Sequence, residues 1–244
     1  MTPSNLRVIA LLCWALVLGC ANAPHDPSAV PDGINDVFLD EEMSVDRFVE
    51  RFEGESRDVY AQRFAIVRAL DLAPGDVVAD IGAGTGFFSK LFSKAVGPSG
   101  RVFAVEISPR FLDHLRAEQT SLETNNWTVV EGTARSVALD PASTDVAFLC
   151  DVYHHFEHPE ATLASLREAI RPGGSLVLVD FHRIPGVSTE FILNHVRADR
   201  AVFQAEIEAA GFRFEEALVI DGLDDNYVLR FRRDAKGPGA VDAG

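Results

Sequence analysis

Residues 77–90 read Val-Val-Ala-Asp-Ile-Gly-Ala-Gly-Thr-Gly-Phe-Phe-Ser-Lys. Val77, Val78, Ala79 and Ile81 suit a strand buried on both faces, with an acidic residue, Asp80, near its end. The turn Gly82-Ala83-Gly84-Thr85-Gly86 follows. Its glycines let the backbone turn sharply and let a ligand approach main-chain N–H groups, and a helix opens after them. Thr85 or Ser89 is expected to help start that helix. This is the binding turn of a nucleotide-type α/β fold.

The dinucleotide fingerprint is G-x-G-x-x-G, and here Phe87 stands where its third glycine would fall. The spacing found, D-x-G-x-G-x-G from Asp80 to Gly86, closely resembles that of class I S-adenosylmethionine (SAM) methyltransferases. A second acidic residue agrees with it. Arg101–Glu106 reads as a strand whose terminal carboxylate can accept hydrogen bonds from both hydroxyls of a ribose, a feature that suits NAD equally well. Later segments separate the two. Asp145–Asp151 resembles the fourth strand of the methyltransferase fold. Leu166–Asp180 resembles the helix, Arg-Pro-Gly-Gly turn (171–174) and fifth strand that follow it. The resemblance runs from about residue 57 to about residue 232. It implies a Rossmann-like class I methyltransferase fold, α/β, with a seven-stranded, mostly parallel sheet and helices on both faces. An NAD or flavin site, or a plain turn with no cofactor, fits the glycine turn alone.

The 244 residues suit one α/β domain plus tails, and a hydrophobic content of 47% supports a sizeable core. A net charge of −15 argues against a nucleic-acid partner, whose phosphates need a basic surface. It also disfavours an open face pressed on anionic lipid.

The first residues have a different character. Met1–Arg7 carries one positive charge, and Val8–Gly19 is apolar but only 12 residues long, short for a membrane span. It ends Val17-Leu18-Gly19-Cys20, which resembles a bacterial lipoprotein signal cut before Cys20 and lipidated there. Residues 1–19 are read as that signal, which implies a bacterial cell-envelope location, lipid-anchored on the periplasmic side. A plain signal cut after Ala23 and a cytoplasmic protein with an over-extended start are the other readings. Cys13 lies in the signal and Cys20 would carry lipid. Cys150, in a buried strand, remains as a small core residue with no internal disulfide partner.

Residues 20–43, rich in Pro, Asp and Ala, read as a flexible tether. The domain is expected over 44–233, and 234–244 as a disordered tail. Helical spacing places helices at 44–52 and 57–70. The pattern then alternates: strand 77–81, helix 85–96, strand 101–105, helix 109–120, strands 127–131 and 145–149, helix 160–170, strand 175–181, and helix 199–210. A final strand pair, 212–220 and 227–232, would bring the family's one antiparallel strand.

In open α/β sheets, ligands sit outside the carboxyl ends of the strands. The resemblance puts Gly82, Ala83, Gly84 and Gly86 beside the methionine part of SAM, with Asp80 orienting the loop or reaching the ligand through water. Glu106 would hold the ribose and Ile107 pack on the adenine. In many family members an acidic side chain after the third strand accepts from the adenine amino group. This chain has Thr133 and Ala134 there, so that contact falls to the backbone or to Thr133. Asp151 opens the loop Asp151–His158 (Asp-Val-Tyr-His-His-Phe-Glu-His), which in the family lies beside the transferable methyl. Tyr153, His154 and His155 are the candidate catalytic residues, able to position or deprotonate an acceptor. Asp180, His182, Arg183, His195 and Arg197 fall in segments near the same mouth. Arg57, Tyr60 and Arg63 precede the sheet as candidate cover residues. No metal is assigned, because adjacent His154 and His155 are expected to point apart and no histidine pair has i, i+4 spacing on a helix.

The reading that results is a SAM-dependent methyltransferase acting on a small-molecule or lipid-like acceptor. The alternative is a lipoprotein that keeps the fold as a ligand-binding or structural module, since SAM is made in the cytosol.

Overall fold

The computed structural model describes residues 30–54, 57–121 and 126–234. The expected signal (1–19), with Cys13 and Cys20, and the tail from residue 235 lie outside the described residues. So do residues 20–29 of the expected tether.

Among the described residues, seven strands form one sheet: β1 (Val77–Ile81), β2 (Arg101–Glu106), β3 (Trp127–Glu131), β4 (Thr144–Cys150), β5 (Ile170–Phe181), β6 (Phe212–Leu218) and β7 (Asn226–Arg233). Their order is β3-β2-β1-β4-β5-β7-β6. The first five pair in parallel, and β7 runs antiparallel between β5 and β6. The helices are α1 (Asp36–Leu39), α2 (Val45–Phe52), α3 (Asp58–Ala61), α4 (Arg63–Ala69), α5 (Phe87–Val96), α6 (Pro109–Ser121), α7 (Pro159–Ala169), α8 (Glu190–His195) and α9 (Arg200–Ala209). This is the Rossmann-like architecture of class I methyltransferases.

The unbroken apolar runs of the central strands are explained by two cores, one on each face. Ala79, Ala147, Leu149 and Leu178 face one side, with Leu166 of α7 and Phe203 of α9. Val78, Val146, Phe148 and Val177 face the other, with Ile66 of α4 and Phe92 of α5. Alternate residues of one strand thus feed opposite cores, as a buried parallel sheet requires. Fully burying a side chain such as Phe92 stabilises the fold by about 1.5–3 kcal/mol.

Strand order reverses between β1 and β4, so the loops leaving these two neighbours open a crevice at their carboxyl ends. Every candidate loop named above begins there.

Four local expectations are corrected. Residues 30–43 are not a loose tether: they include α1, and Asn35 and Met43 are buried against the domain. The apolar residues Phe38 and Met43 give this stretch a face to bury, packed with Phe48 and Phe111. The helix expected at 57–70 is broken at Gln62, whose φ of −93° and ψ of 8° leave the helical range. Neither Thr85 nor Ser89 caps α5. The helix starts at Phe87 because Gly86 is left-handed at φ 74°, and Ser89 is committed to Asp80. Finally, α8 (Glu190–His195) forms in a stretch to which the sequence pattern assigns no element, capped by Thr189, whose side chain accepts from the Ile192 N–H.

Candidate functional site

A cavity of about 440 Å³ occupies the crevice, within the range that takes a drug-sized ligand. The loops after β1, β2, β3 and β4 line it, and Asn35, Val37, Phe38, Arg51, Phe52 and Arg57 close over it.

The glycine turn divides its work. Gly82, Gly84 and Gly86 all have positive φ (67°, 53° and 74°). A Cβ on Gly82 would collide with the Val152 side chain, and one on Gly86 would lie 2.7 Å from the Trp127 ring. These two are glycine for packing. A Cβ on Gly84 would find nothing nearer than 3.8 Å, where Phe52, also in the cavity wall, stands. Gly84 is therefore the position where a ligand can lie against bare backbone. The expected presentation of loop N–H groups to the ligand differs in detail. The Gly82 and Ala83 N–H groups both donate to the Val105 carbonyl, at 2.9 and 3.0 Å, and the Gly84 N–H donates to Glu106 at 2.8 Å. The turn is held tight by its own acceptors.

Glu106 is buried at the end of β2. Besides Gly84 it accepts from the Ile107 and Ser108 N–H groups, at 2.7 and 3.0 Å. Burial raises its pKa, opposed by these three donors. A carboxylate offers about four acceptor sites, so one remains for a ligand hydroxyl. Asp80 lies under the turn and accepts from Ser89 Oγ at 2.6 Å. Burial pushes its pKa up to about 7, against the Ser89 hydrogen bond. Ile107, Thr133 and Ala134 line the cavity as expected from their loops. Thr133 is tied into its own turn: its N–H donates to the Ser136 carbonyl and its hydroxyl accepts from the Arg135 N–H.

Asp151 reaches the cavity from a left-handed backbone (φ 52°). Its carboxylate forms an ion pair with Arg57 and accepts from Asn226 Nδ2 at 2.5 Å. Burial raises its pKa, and Arg57 works against that.

Tyr153, expected to be catalytic, is corrected. It is fully buried in the core and is absent from the cavity wall. Its hydroxyl donates to Glu206 Oε2 at 2.7 Å, and Arg197, ion-paired to Glu206 at 2.5 Å, lies over its ring. The short 3-10 turn Tyr153–His155 sends the tyrosine inward and leaves the two histidines on the cavity side.

Those histidines also depart from expectation: they do not point apart. Their ring centres are 4.4 Å apart, and His195 of α8 joins them at 5.1 and 4.9 Å. His154 Nδ1 lies 2.8 Å from Asp180 Oδ1, both groups being buried. His155 Nε2 lies 3.2 Å from His195 Nε2. Burial, then the neighbouring His154 and His195, push the pKa of His155 down to about 2. Burial, His154 and Arg51 lower that of His195 as well. His155 is therefore neutral at pH 7, and too weak a base to hold an acceptor's proton.

The remaining candidates separate. Arg57 lines the cavity, whereas Tyr60 packs on Phe87 with Arg63 over its ring. His182 packs on Tyr227, and Arg183 donates to the Leu193 carbonyl. Cys150 is in the wall, its thiol pushed well up by burial.

The cover was missed in the sequence. Asn35 Nδ2 donates to the His155 carbonyl at 3.0 Å and to Glu157 Oε1 at 2.7 Å. Ser108 Oγ donates to the Phe38 carbonyl at 2.5 Å. Phe38, Phe48, Phe52 and Phe111 form one aromatic group above the cavity. The run Val37-Phe38-Leu39 inside a Pro/Asp-rich stretch was the available signal.

Comparison with known proteins agrees with this geometry. Residues 79–176, from within β1 to within β5, match the family model described as a methyltransferase domain. The chain is 32% identical over 154 residues to an uncharacterised 37.1 kDa protein in transposon TN4556 of Streptomyces fradiae, covering 62% of this chain and 39% of that one. It is 30% identical over 129 residues to a ubiquinone/menaquinone biosynthesis C-methyltransferase of Cupriavidus metallidurans, covering 50% of this chain and 49% of that one. The chain thus spans about half the length, or less, of these curated relatives. Among solved structures, a SAM-dependent methyltransferase from Aquifex aeolicus superposes with a TM-score of 0.68 at 18% identity, over 79% of this chain and 100% of that one.

Proposed function

We propose that the chain is a SAM-dependent methyltransferase that moves the methyl of S-adenosylmethionine to a small-molecule or lipid-like acceptor by in-line displacement. One observation carries the reading: a single cavity joins bare backbone at Gly84 and the ribose-type carboxylate Glu106 to the histidines of the loop after β4. The match of residues 79–176 to a methyltransferase domain supports it.

SAM is held with its methionine end over the glycine turn and its ribose on Glu106. Its sulfonium is an activated leaving group, so the protein's task is alignment and exclusion of water. The aromatic cover excludes water, and His154 and His155 position the acceptor. A net charge of −15 argues against nucleic acid as the acceptor. The Leu18-Gly19-Cys20 sequence supports anchoring by lipid on Cys20 at the periplasmic side of a bacterial envelope.

Calorimetry of the full chain in detergent with SAM and with its demethylated product tests the donor. Saturable heat with both is expected, and no heat with either overturns the reading. Transfer of labelled methyl from SAM into envelope lipid and small-molecule fractions tests the acceptor. Binding without transfer to any fraction is the outcome the non-catalytic alternative requires. Mass analysis of the N-terminus tests the anchor: an unprocessed Met1 in the cytosol overturns it.

A further inference from the structure

We propose that His154, His155 and His195 form a three-histidine site for a divalent transition-metal ion of the zinc type, in the wall of the same cavity. One ligand nitrogen from each lies within 4.8 Å of the other two. The Nε2 atoms of His155 and His195 are 3.2 Å apart. With metal–nitrogen bonds of about 2.0–2.1 Å, tetrahedral geometry puts neighbouring ligand nitrogens about 3.4 Å apart. These two rings already span one edge of such a site, and a ring nitrogen of His154 lies within 4.8 Å of both.

The surroundings are those of an oriented ligand set. His154 Nδ1 bonds to buried Asp180, which also accepts from the backbone N–H groups of His154 and Phe181, at 3.3 and 2.8 Å. That carboxylate–histidine pair holds the proton on Nδ1 and leaves the Nε2 lone pair for a metal. Phe191 stacks on His195 with ring centres 5.0 Å apart, and Phe38 meets His155 edge-on at 5.3 Å. Both contacts fix ring planes in an apolar shell.

Without an ion, a single N–H satisfies the His155–His195 contact, one nitrogen donating and the other accepting. An ion bound there would take the place of that shared proton, and His154 Nε2, the ring nitrogen left free by Asp180, would complete the set. Three imidazoles select zinc, cobalt, nickel or copper over magnesium or calcium, which take oxygen. Three protein ligands also leave a fourth position open, and here it faces the cavity, where an oxygen of the acceptor or a water can enter.

The site is independent of the SAM reading and is tested apart from it. The full chain, without a histidine tag, is stripped with a chelator and titrated with Co(II), then with Zn(II) in competition. One equivalent of Co(II) with the visible bands of a four-coordinate ion is expected. Zinc should raise the unfolding temperature. His195→Ala should weaken binding at least 100-fold. Asp180→Asn should weaken it about 10- to 100-fold. His182→Ala, outside the cluster, should leave binding unchanged. Circular dichroism confirms that each variant is folded, and calorimetry with the demethylated product on the stripped chain reports on SAM binding separately. Absence of a stoichiometric ion, or binding that survives His195→Ala, overturns the proposal.

Discussion

The carboxylate of Glu106 accepts the Gly84 N–H at 2.8 Å, so the end of β2 is fastened to the middle of the glycine turn. A residue read as a ribose ligand is thereby also a brace for the loop. Glu106→Ala leaves three N–H groups without their acceptor, and the two that are buried, of Gly84 and Ser108, cost about 1–3 kcal/mol each. We expect a loss of several kcal/mol in urea unfolding together with loss of binding of demethylated SAM. A variant that loses binding at full stability would refute the bracing role.

Gly82 and Gly84 should fail in different ways. Gly82→Ala drives a methyl into Val152 and should cost about 1–3 kcal/mol in stability, beyond the strain of its positive φ. Gly84→Ala meets no atom within 3.4 Å, so only about 1 kcal/mol of backbone strain is expected. Its methyl enters the ligand space, and affinity for demethylated SAM should fall at least tenfold. Calorimetry and thermal melts on both variants check the split, and equal behaviour of the two would remove it.

Asp80 makes stability depend on pH. Its folded pKa is raised from 3.8 to about 7. Between those values the folded chain keeps a proton that the unfolded chain has released, so stability falls as pH rises through this window. The slope is at most about 1.4 kcal/mol per pH unit. Asp80→Asn removes that slope, so its stability relative to the parent should rise from pH ~4 to ~7 and then level off. Unfolding curves at three pH values within this range measure it. A gap that does not change with pH would show that burial of Asp80 is not the cause.

Tyr153→Phe removes the hydroxyl that donates to Glu206 and nothing that faces the cavity. We expect about 1.5 kcal/mol of destabilisation and unchanged affinity for demethylated SAM. A tenfold loss of affinity would return this tyrosine to the site.

The sheet was legible because its strands are continuous apolar runs that end in punctuation: Asp80 before the glycines, Glu106, and Asp151. Such runs leave few alternatives once helices alternate with them. The start of α5 was misplaced by two residues because the left-handed angle of Gly86 cannot be told from sequence. The Tyr-His-His loop showed which side chains were present but not which way they point. One residue of rotation along a tight turn decides whether Tyr153 or His154 meets the cavity. His195 belongs to the site only because α8 folds back across 40 positions of sequence to His155. A six-residue helix is too short for periodicity to reveal. The cover was hidden for the same reason: α1 has four residues, and its Pro- and Asp-rich flanks suggest a linker.

That cover determines where the working unit begins. Asn35 bonds to His155 and Glu157, and Phe38 and Met43 complete the apolar cluster with Phe48 of α2 and Phe111 of α6. A chain cut at Ser44 would retain all seven strands and the whole glycine turn, yet present an open trough in place of a chamber. Residues 30–43 are therefore part of the unit that encloses the cavity, and solvent access to it depends on how firmly Asn35 holds this segment to the loop after β4.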